Sequence, residues 1–249
     1  MFNQQSKLLL SQLVMQLTTI VGIYYYWGTF AILDYFIIIA STFFFAVVLL
    51  EAFVHRYCTH RVFELNKKAE IFLLYCSTLL LQPPALVWVP NHITHHRYPD
   101  KKGDSHPASN GWKTWFWWNT YKNSMISGHT VKRLLKNKHY RIQYENFFKI
   151  YYLFVIPCFI ISPFYTLCMI LIPATFCFHI TSFINVLCHI PGWGYRNFDT
   201  NDNSVNINIF PMSCATLHNN HHANPSAMNN AVKWYEIDVT YYVILLIKK

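Results

Sequence analysis

Apolar residues fall in long blocks separated by polar and aromatic stretches. The first block runs from about Leu8 to Trp27 and the second from about Tyr35 to Phe53, with Asp34 just before it. Each approaches the roughly 20 residues that a helix needs to cross a hydrocarbon core. The link around Gly28 to Asp34 is short and carries no Lys or Arg, so the pair reads as a transmembrane hairpin. Polar and aromatic sequence follows from about His55 to Lys149. An apolar run from about Ile150 to Cys188 then has twice the length of one span. Pro157, Pro163 and Pro173 interrupt it and place a turn near Ser162 to Cys168. Spans over about 8–27, 35–53, 150–166 and 168–188 result, with 54–149 and 189–249 outside the bilayer. The pattern predicts a single all-α integral-membrane domain over 1–249, with four transmembrane helices in two hairpins under a helical cytosolic cap.

One segment competes with this arrangement. Ile71 to Leu81 is apolar, and Pro83 and Pro84 stop it before Leu86 to Val89. Its unbroken part is about 11 residues, which suits a re-entrant or interfacial helix better than a crossing.

Composition agrees with a bilayer as part of the solvent. Hydrophobic residues make up 53% of the chain and charged residues 12%, where soluble domains carry about 25% charged residues. Fifteen of the twenty Lys and Arg lie between Arg56 and Lys149; the others are Lys7, Arg196, Lys233, Lys248 and Lys249, and neither hairpin tip has any. The positive-inside rule then places both termini and the large middle region in the cytoplasm. Topology accounts for the net charge of +9 without nucleic acid, for which the sequence carries no motif. The first block has no small-residue cleavage site, so it is expected to be an uncleaved span. Seven cysteines, an odd number with no CxxC, read as reduced and mostly buried. The aromatic cluster Trp112, Trp115, Phe116, Trp117 and Trp118 fits either an interfacial helix or the core of a cap.

The chemistry lies in the histidines. Of thirteen, nine form four groups: His55 and His60; His92, His95 and His96; His218, His221 and His222; and His189, one turn after Asn185. The second and third groups share the pattern HxxHH, which on a helix sets three imidazoles on one face. The spacing of His55 and His60 is i, i+5, about 140° apart on an ideal α-helix, so they share a site only if it straddles metals or the helix changes course. His55 follows the second span and His189 the last, both at the cytoplasmic exit. His106, His129, His139 and His179 are isolated and read as unrelated histidines.

Imidazole suits zinc, copper, iron and nickel. Nine ligands are too many for one tetrahedral zinc and suit two metals of high coordination number. The Glu-x-x-His motif of soluble di-iron proteins is absent, as is HExxH. For all nine histidines to reach one site, the segment from Ile71 to Val89 has to stay on the cytoplasmic side.

The order HxxxxH, HxxHH, HxxHH, with an Asn185/His189 pair before the last box, resembles the membrane fatty-acyl desaturases, particularly the delta-9 acyl-CoA and bacterial acyl-lipid branch. The similarity runs from about His55 to the C-terminus. Flanking sequence agrees at His96-Arg97-Tyr98-Pro99-Asp100, at Asp104-Ser105-His106-Pro107 and at Trp234-Tyr235-Glu236-Ile237-Asp238. The resemblance implies that His55, His60, His92, His95, His96, His189, His218, His221 and His222 bind two iron ions, and that Asn185 holds a metal-bound water. It implies O2 as co-substrate and a saturated acyl chain, linked to CoA or lipid, that gains a cis double bond of the delta-9 type. Electrons are expected from a separate cytochrome, ferredoxin or similar donor. No acid or base beyond the di-iron centre is assigned.

The chain departs from the family pattern in three places. The small glycines common before the first box are replaced by Leu49 to Val54, including Glu51 one turn before His55. Glu51 either orients His55 as an outer hydrogen-bond acceptor or is a charge at a helix end in the interface, the more ordinary role. Cys214 to Leu217 replace the usual sequence before His218, and Pro90-Asn91 precede His92. Two other functions fit the histidines. One is a lipid hydroxylase or ketolase, whose first box is more often HxxxH. The other is a metal carrier or sensor, which would hold its ligands within the spans.

Overall fold

The computed structural model describes residues 4–117, 128–209 and 213–249. Those residues form helices joined by loops, with two isolated β-bridges and no strand. Among the described residues, four helices are long and apolar enough to cross a membrane: α1 (Gln4–Tyr25), α2 (Ile32–Thr59), α7 (Lys138–Ile161) and α8 (Pro163–Leu187). Between them in sequence lie α3 (Lys67–Cys76), α4 (Ala85–Arg97), α5 (Trp112–Trp117) and α6 (Gly128–Lys136), and after them α9 (His218–Ala223) and α10 (Val239–Ile247).

The α1–α2 link is a tight turn through Gly28, whose φ of 86° lies in the region glycine tolerates best. Asp34 accepts a hydrogen bond from the Ala31 amide at 2.8 Å and so closes the first turn of α2. The α7–α8 break is at Ser162, whose hydroxyl accepts from the Tyr165 amide, and Pro163 opens α8 at the position where a missing N–H costs nothing. The two tips meet: Phe164 packs against Tyr26 and Phe30, with ring centroids 5.0 and 5.4 Å apart.

α2 and α8 are the inner pair. Leu49, Ala52 and Phe53 of α2 and Ala174 and Cys177 of α8 are fully buried. α1 and α7 turn Leu17, Ile20, Val21, Leu153, Ile160 and Ile161 outward. Among helices in lipid, apolar transfer supplies little, and close packing with interhelical hydrogen bonds holds the contacts. Thr19 on α1 meets Thr175 on α8 at 3.0 Å, and Ser11 on α1 meets the Tyr152 hydroxyl on α7 at 2.7 Å.

The segment that competed as a crossing is bent. Lys67–Leu80 and Ala85–Arg97 meet at 81°. Leu81 at the corner has φ 51°, a left-handed conformation that costs a branched side chain about 1–2 kcal/mol. Its carbonyl accepts a hydrogen bond from the buried Gln12 side chain of α1 at 2.9 Å. The excursion leaves the end of α2 and returns to it, since His92 on α4 lies 4.6 Å from His55, ring to ring.

Candidate metal centre

Sixteen residues of α2, Phe44–Thr59, are wound as a π-helix. Its i→i+5 hydrogen bonds bring residues five apart onto nearly the same face. The His60 amide donates to the His55 carbonyl at 3.3 Å, and the two imidazoles lie 4.9 Å apart. The spacing that an α-helix would splay therefore converges here because the helix changes its winding.

The two HxxHH boxes divide their histidines between two pockets. On α4, His92 and His96 turn to one side and His95 to the other; on α9, His221 joins the first side and His218 and His222 the second. One pocket collects His55, His60, His92, His96 and His221; the other collects His95, His189, His218 and His222. Within each pocket the ligand atoms all lie within 4.8 Å of one another. The three imidazoles of a box thus share a helix face but not a single ion position, because i+3 falls on the opposite side of i from i+4.

α9 is too short to be stable alone. Its two asparagines anchor it from behind: Asn219 accepts from the Asn197 and Phe198 amides at 2.9 Å, and Asn220 donates to Glu236 at 3.0 Å. Glu236 also accepts from Tyr195 at 2.7 Å and from the backbone of Val232 and Lys233. Burial pushes the Glu236 carboxyl up, but these hydrogen bonds outweigh it and hold the group below its ordinary range.

Carboxylates stand behind four of the histidines. Asp104 accepts from His95 Nδ1 at 2.9 Å, Asp100 from His189 Nδ1 at 2.9 Å, Asp202 from His222 Nδ1 at 3.0 Å and Glu51 from His55 Nδ1 at 3.0 Å. A carboxylate only accepts, so each of these rings donates from Nδ1 and turns Nε2 toward the pocket. Yet His95 Nε2 and His189 Nε2 face each other at 3.2 Å. A cation bound to both nitrogens would satisfy both. His60 Nε2 and His222 Nε2 are buried with no hydrogen-bond partner. The donor set fits metal ions.

Burial, with the proximity of the other imidazoles second, holds His60, His92, His95, His218, His221 and His222 well below the ordinary 6.5. His96 falls to about 3 for the same reasons. The rings are neutral at physiological pH, the form that ligates.

Sequence comparison agrees with this geometry. The profile of the fatty acid desaturase family matches residues 35–244. The chain belongs to the fatty acid desaturase family. It is 34% identical over 200 residues to an icosanoyl-CoA 5-desaturase of Limnanthes douglasii, covering 76% of this chain and 55% of that protein. It is 31% identical over 200 residues to the delta-9 acyl-lipid desaturase 2 of Arabidopsis thaliana, covering 76% of this chain and 64% of that one. An acyl-CoA C20 delta5-desaturase of Anemone leveillei is 30% identical over 202 residues, covering 78% and 64%. The chain thus spans somewhat more than half the length of the curated relatives it matches.

In this desaturase-family chain a cavity of about 30 Å³ borders the histidines, lined by Leu50, Glu51, Trp88, His106, Ile184 and Asn185 among others. Asn185 is buried and its Nδ2 has no protein partner. Leu50, Trp88 and Ile184 make the wall largely apolar.

Two members of the site escape a reading by motif. Asp202 lies in a polar loop that no periodicity marks. His106, set aside as an isolated histidine, is buried at 3% exposure and stacks on His95 with centroids 4.2 Å apart. The signal was its place two residues after Asp104, whose carboxylate accepts the His106 amide at 3.0 Å. His139 pairs with Tyr75 and His179 with Trp115. The side chain of His129, and those of Trp117, Trp118 and Cys214, lie outside the described residues. In the described part of the aromatic cluster, Trp112 and Phe116 are exposed while Trp115 donates a hydrogen bond to His179 of α8.

Glu51 is not a charge at a helix end in the interface: it is 7% exposed and hydrogen-bonded to His55. Six of the seven cysteines are described, and all six are free.

Proposed function

We propose that this chain inserts a cis double bond into a saturated fatty-acyl chain, using O2 at a two-iron centre held by the nine histidines. The observation that carries the reading is the division of those histidines into two adjoining pockets bordering an apolar cavity, in a chain of this family. The irons, when bound, would activate O2, which with two electrons from the donor and two protons takes one hydrogen from each of two adjacent methylenes and leaves as two waters. The protein holds the metals through neutral imidazoles, fixes ring orientation through carboxylates and excludes water from the alkyl chain. A methylene has no polar handle, so its position is set by the cavity wall; Leu50, Trp88 and Ile184 move apart as the chain enters. Asn185 offers its free amide to a water at the metals.

The double bond is proposed at delta-9, with the acyl group linked to CoA or lipid. The named relatives include both delta-5 and delta-9 enzymes, so bond position is the quantity to read. Electrons come from a separate cytochrome, ferredoxin or similar donor. The topology is two hairpins with both termini and the metals on the cytoplasmic side. Three features support it: the tips lack Lys and Arg, they touch each other through Phe164, and the far ends of α2 and α8 both reach the histidines. The 81° bend between α3 and α4 supports a segment that stays on the same side.

The test is expression in a desaturase-deficient bacterium or yeast, with fatty acids profiled by gas chromatography–mass spectrometry and His95→Ala as control. A new monounsaturated acid, absent in the control, is expected, and its fragmentation gives the bond position. A hydroxylated lipid in its place would make the protein a hydroxylase. No product together with no iron in the purified chain sinks the reading.

A further inference from the structure

The carboxylates are shared unequally between the pockets. Asp100, Asp104 and Asp202 all serve the four-histidine pocket. Among the described residues the five-histidine pocket has Glu51 alone. That glutamate is placed where a charge is hard to keep. Its neighbours Leu50, Ala52, Phe53 and Val54 are all buried, and it sits inside the apolar part of α2. Burying a carboxylate costs several kcal/mol unless it is bonded. The nearby cation Arg56 is committed elsewhere, to Asp238 and the Met228 carbonyl at 2.8 Å. The partner Glu51 does have is His55 Nδ1, and His55 Nε2 then faces His221 Nε2 at 3.0 Å inside the pocket.

We propose that Glu51 is a positioning residue for the five-histidine metal site. It holds the proton of His55 on Nδ1, fixes the ring plane and presents Nε2 as a more basic ligand. The inference rests on the two-metal reading above and goes beyond it, because it assigns this role to a residue outside the histidine pattern. The winding of α2 makes the role available. The π turn that brings His60 round to His55 also leaves Glu51 one turn behind His55, at hydrogen-bonding distance. An outer carboxylate of this kind is worth about 10–100-fold in metal affinity.

The experiment uses the full chain purified in detergent and loaded with Co2+, so that no turnover is needed. Metal content, competition with a chelator and the cobalt ligand-field spectrum are measured for the wild type, Glu51→Gln and Glu51→Ala. Two bound ions are expected in the wild type. In Glu51→Ala one of the two weakens by about 10–100-fold, with a shift in its spectrum, while the other is unchanged. Glu51→Gln, which keeps an acceptor but loses the charge, falls between. Where Glu51→Ala does not fold, the near-isosteric Glu51→Gln decides alone. Wild-type affinity and spectrum at both sites in Glu51→Gln would overturn the assignment, as would an equal loss at both sites. A wild type that binds no metal fails differently: it removes the two-metal reading itself.

Discussion

The five-histidine pocket grows out of helices. His55 and His60 come from the end of α2, His92 and His96 from α4, and His221 from α9. The four-histidine pocket has fewer imidazoles but is ringed by loop carboxylates, with Asp100, Asp104 and Asp202 each fixing one ring. A metal in one pocket would draw its ligand field from the number of donors, and a metal in the other from the charge behind them. Helical geometry is enough to aim His92 and His96 together. His189 and His222 need loops to come back and hold them, and Asp100 does so from a left-handed backbone position with φ 58°. Two ions bound here would not be equivalent.

The sharpest way to break this comparison is to exchange neighbours. His221→Ala and His222→Ala remove adjacent residues of one short helix, yet they face different pockets. Each is expected to abolish one bound metal and spare the other, and the two cobalt spectra should be complementary. Identical spectra from the two variants would mean that the pockets do not divide as described. A smaller effect is expected from Asp202→Asn, which leaves His222 in place but weakens its support. Affinity at the four-histidine pocket should fall by about 10–100-fold with the other pocket untouched, as chelator competition would show.

The effect that is smallest per residue concerns both pockets together. The metal-free protein holds seven of these histidines neutral, with their ionisation pushed below 6.5. The unfolded chain takes up protons near 6.5 while the folded chain does not, so stability is complete above that value and declines as pH falls toward the depressed range. Stability of the metal-free protein should therefore fall between about pH 7.5 and about pH 5.5. Unfolding midpoints of the metal-free protein at the two pH values measure it, and equal midpoints would show that the rings are not buried neutral.

Much of this site was legible in the residues. The two HxxHH boxes, the Asn185/His189 pair and the apolar blocks all rest on short-range periodicity, which a helix converts directly into direction. What escaped depends on contacts made across the fold. The splitting of each box follows from where the other helices stand. His55 and His60 converge only because α2 changes its winding, and the sequence around Phe44 to Thr59 shows no proline or glycine to announce it. Asp104 was visible beside the second box, but its bond to His95 and the return of His106 onto that ring depend on how one loop closes. Asp202 acts across twenty residues on His222.

The short helix α9 has a consequence for how this protein can change over generations. In His218-Asn219-Asn220-His221-His222 every side chain is engaged, three toward the pockets and two toward the supporting loop. A saturation scan should find no silent position in those five residues. In His92-Ile93-Thr94-His95-His96 the two intervening positions carry less: Ile93 is half-buried, and Thr94 bonds only to the Pro90 carbonyl of its own helix. The two boxes look alike as text, yet substitutions at Ile93 and Thr94 should cost less than those at Asn219 and Asn220.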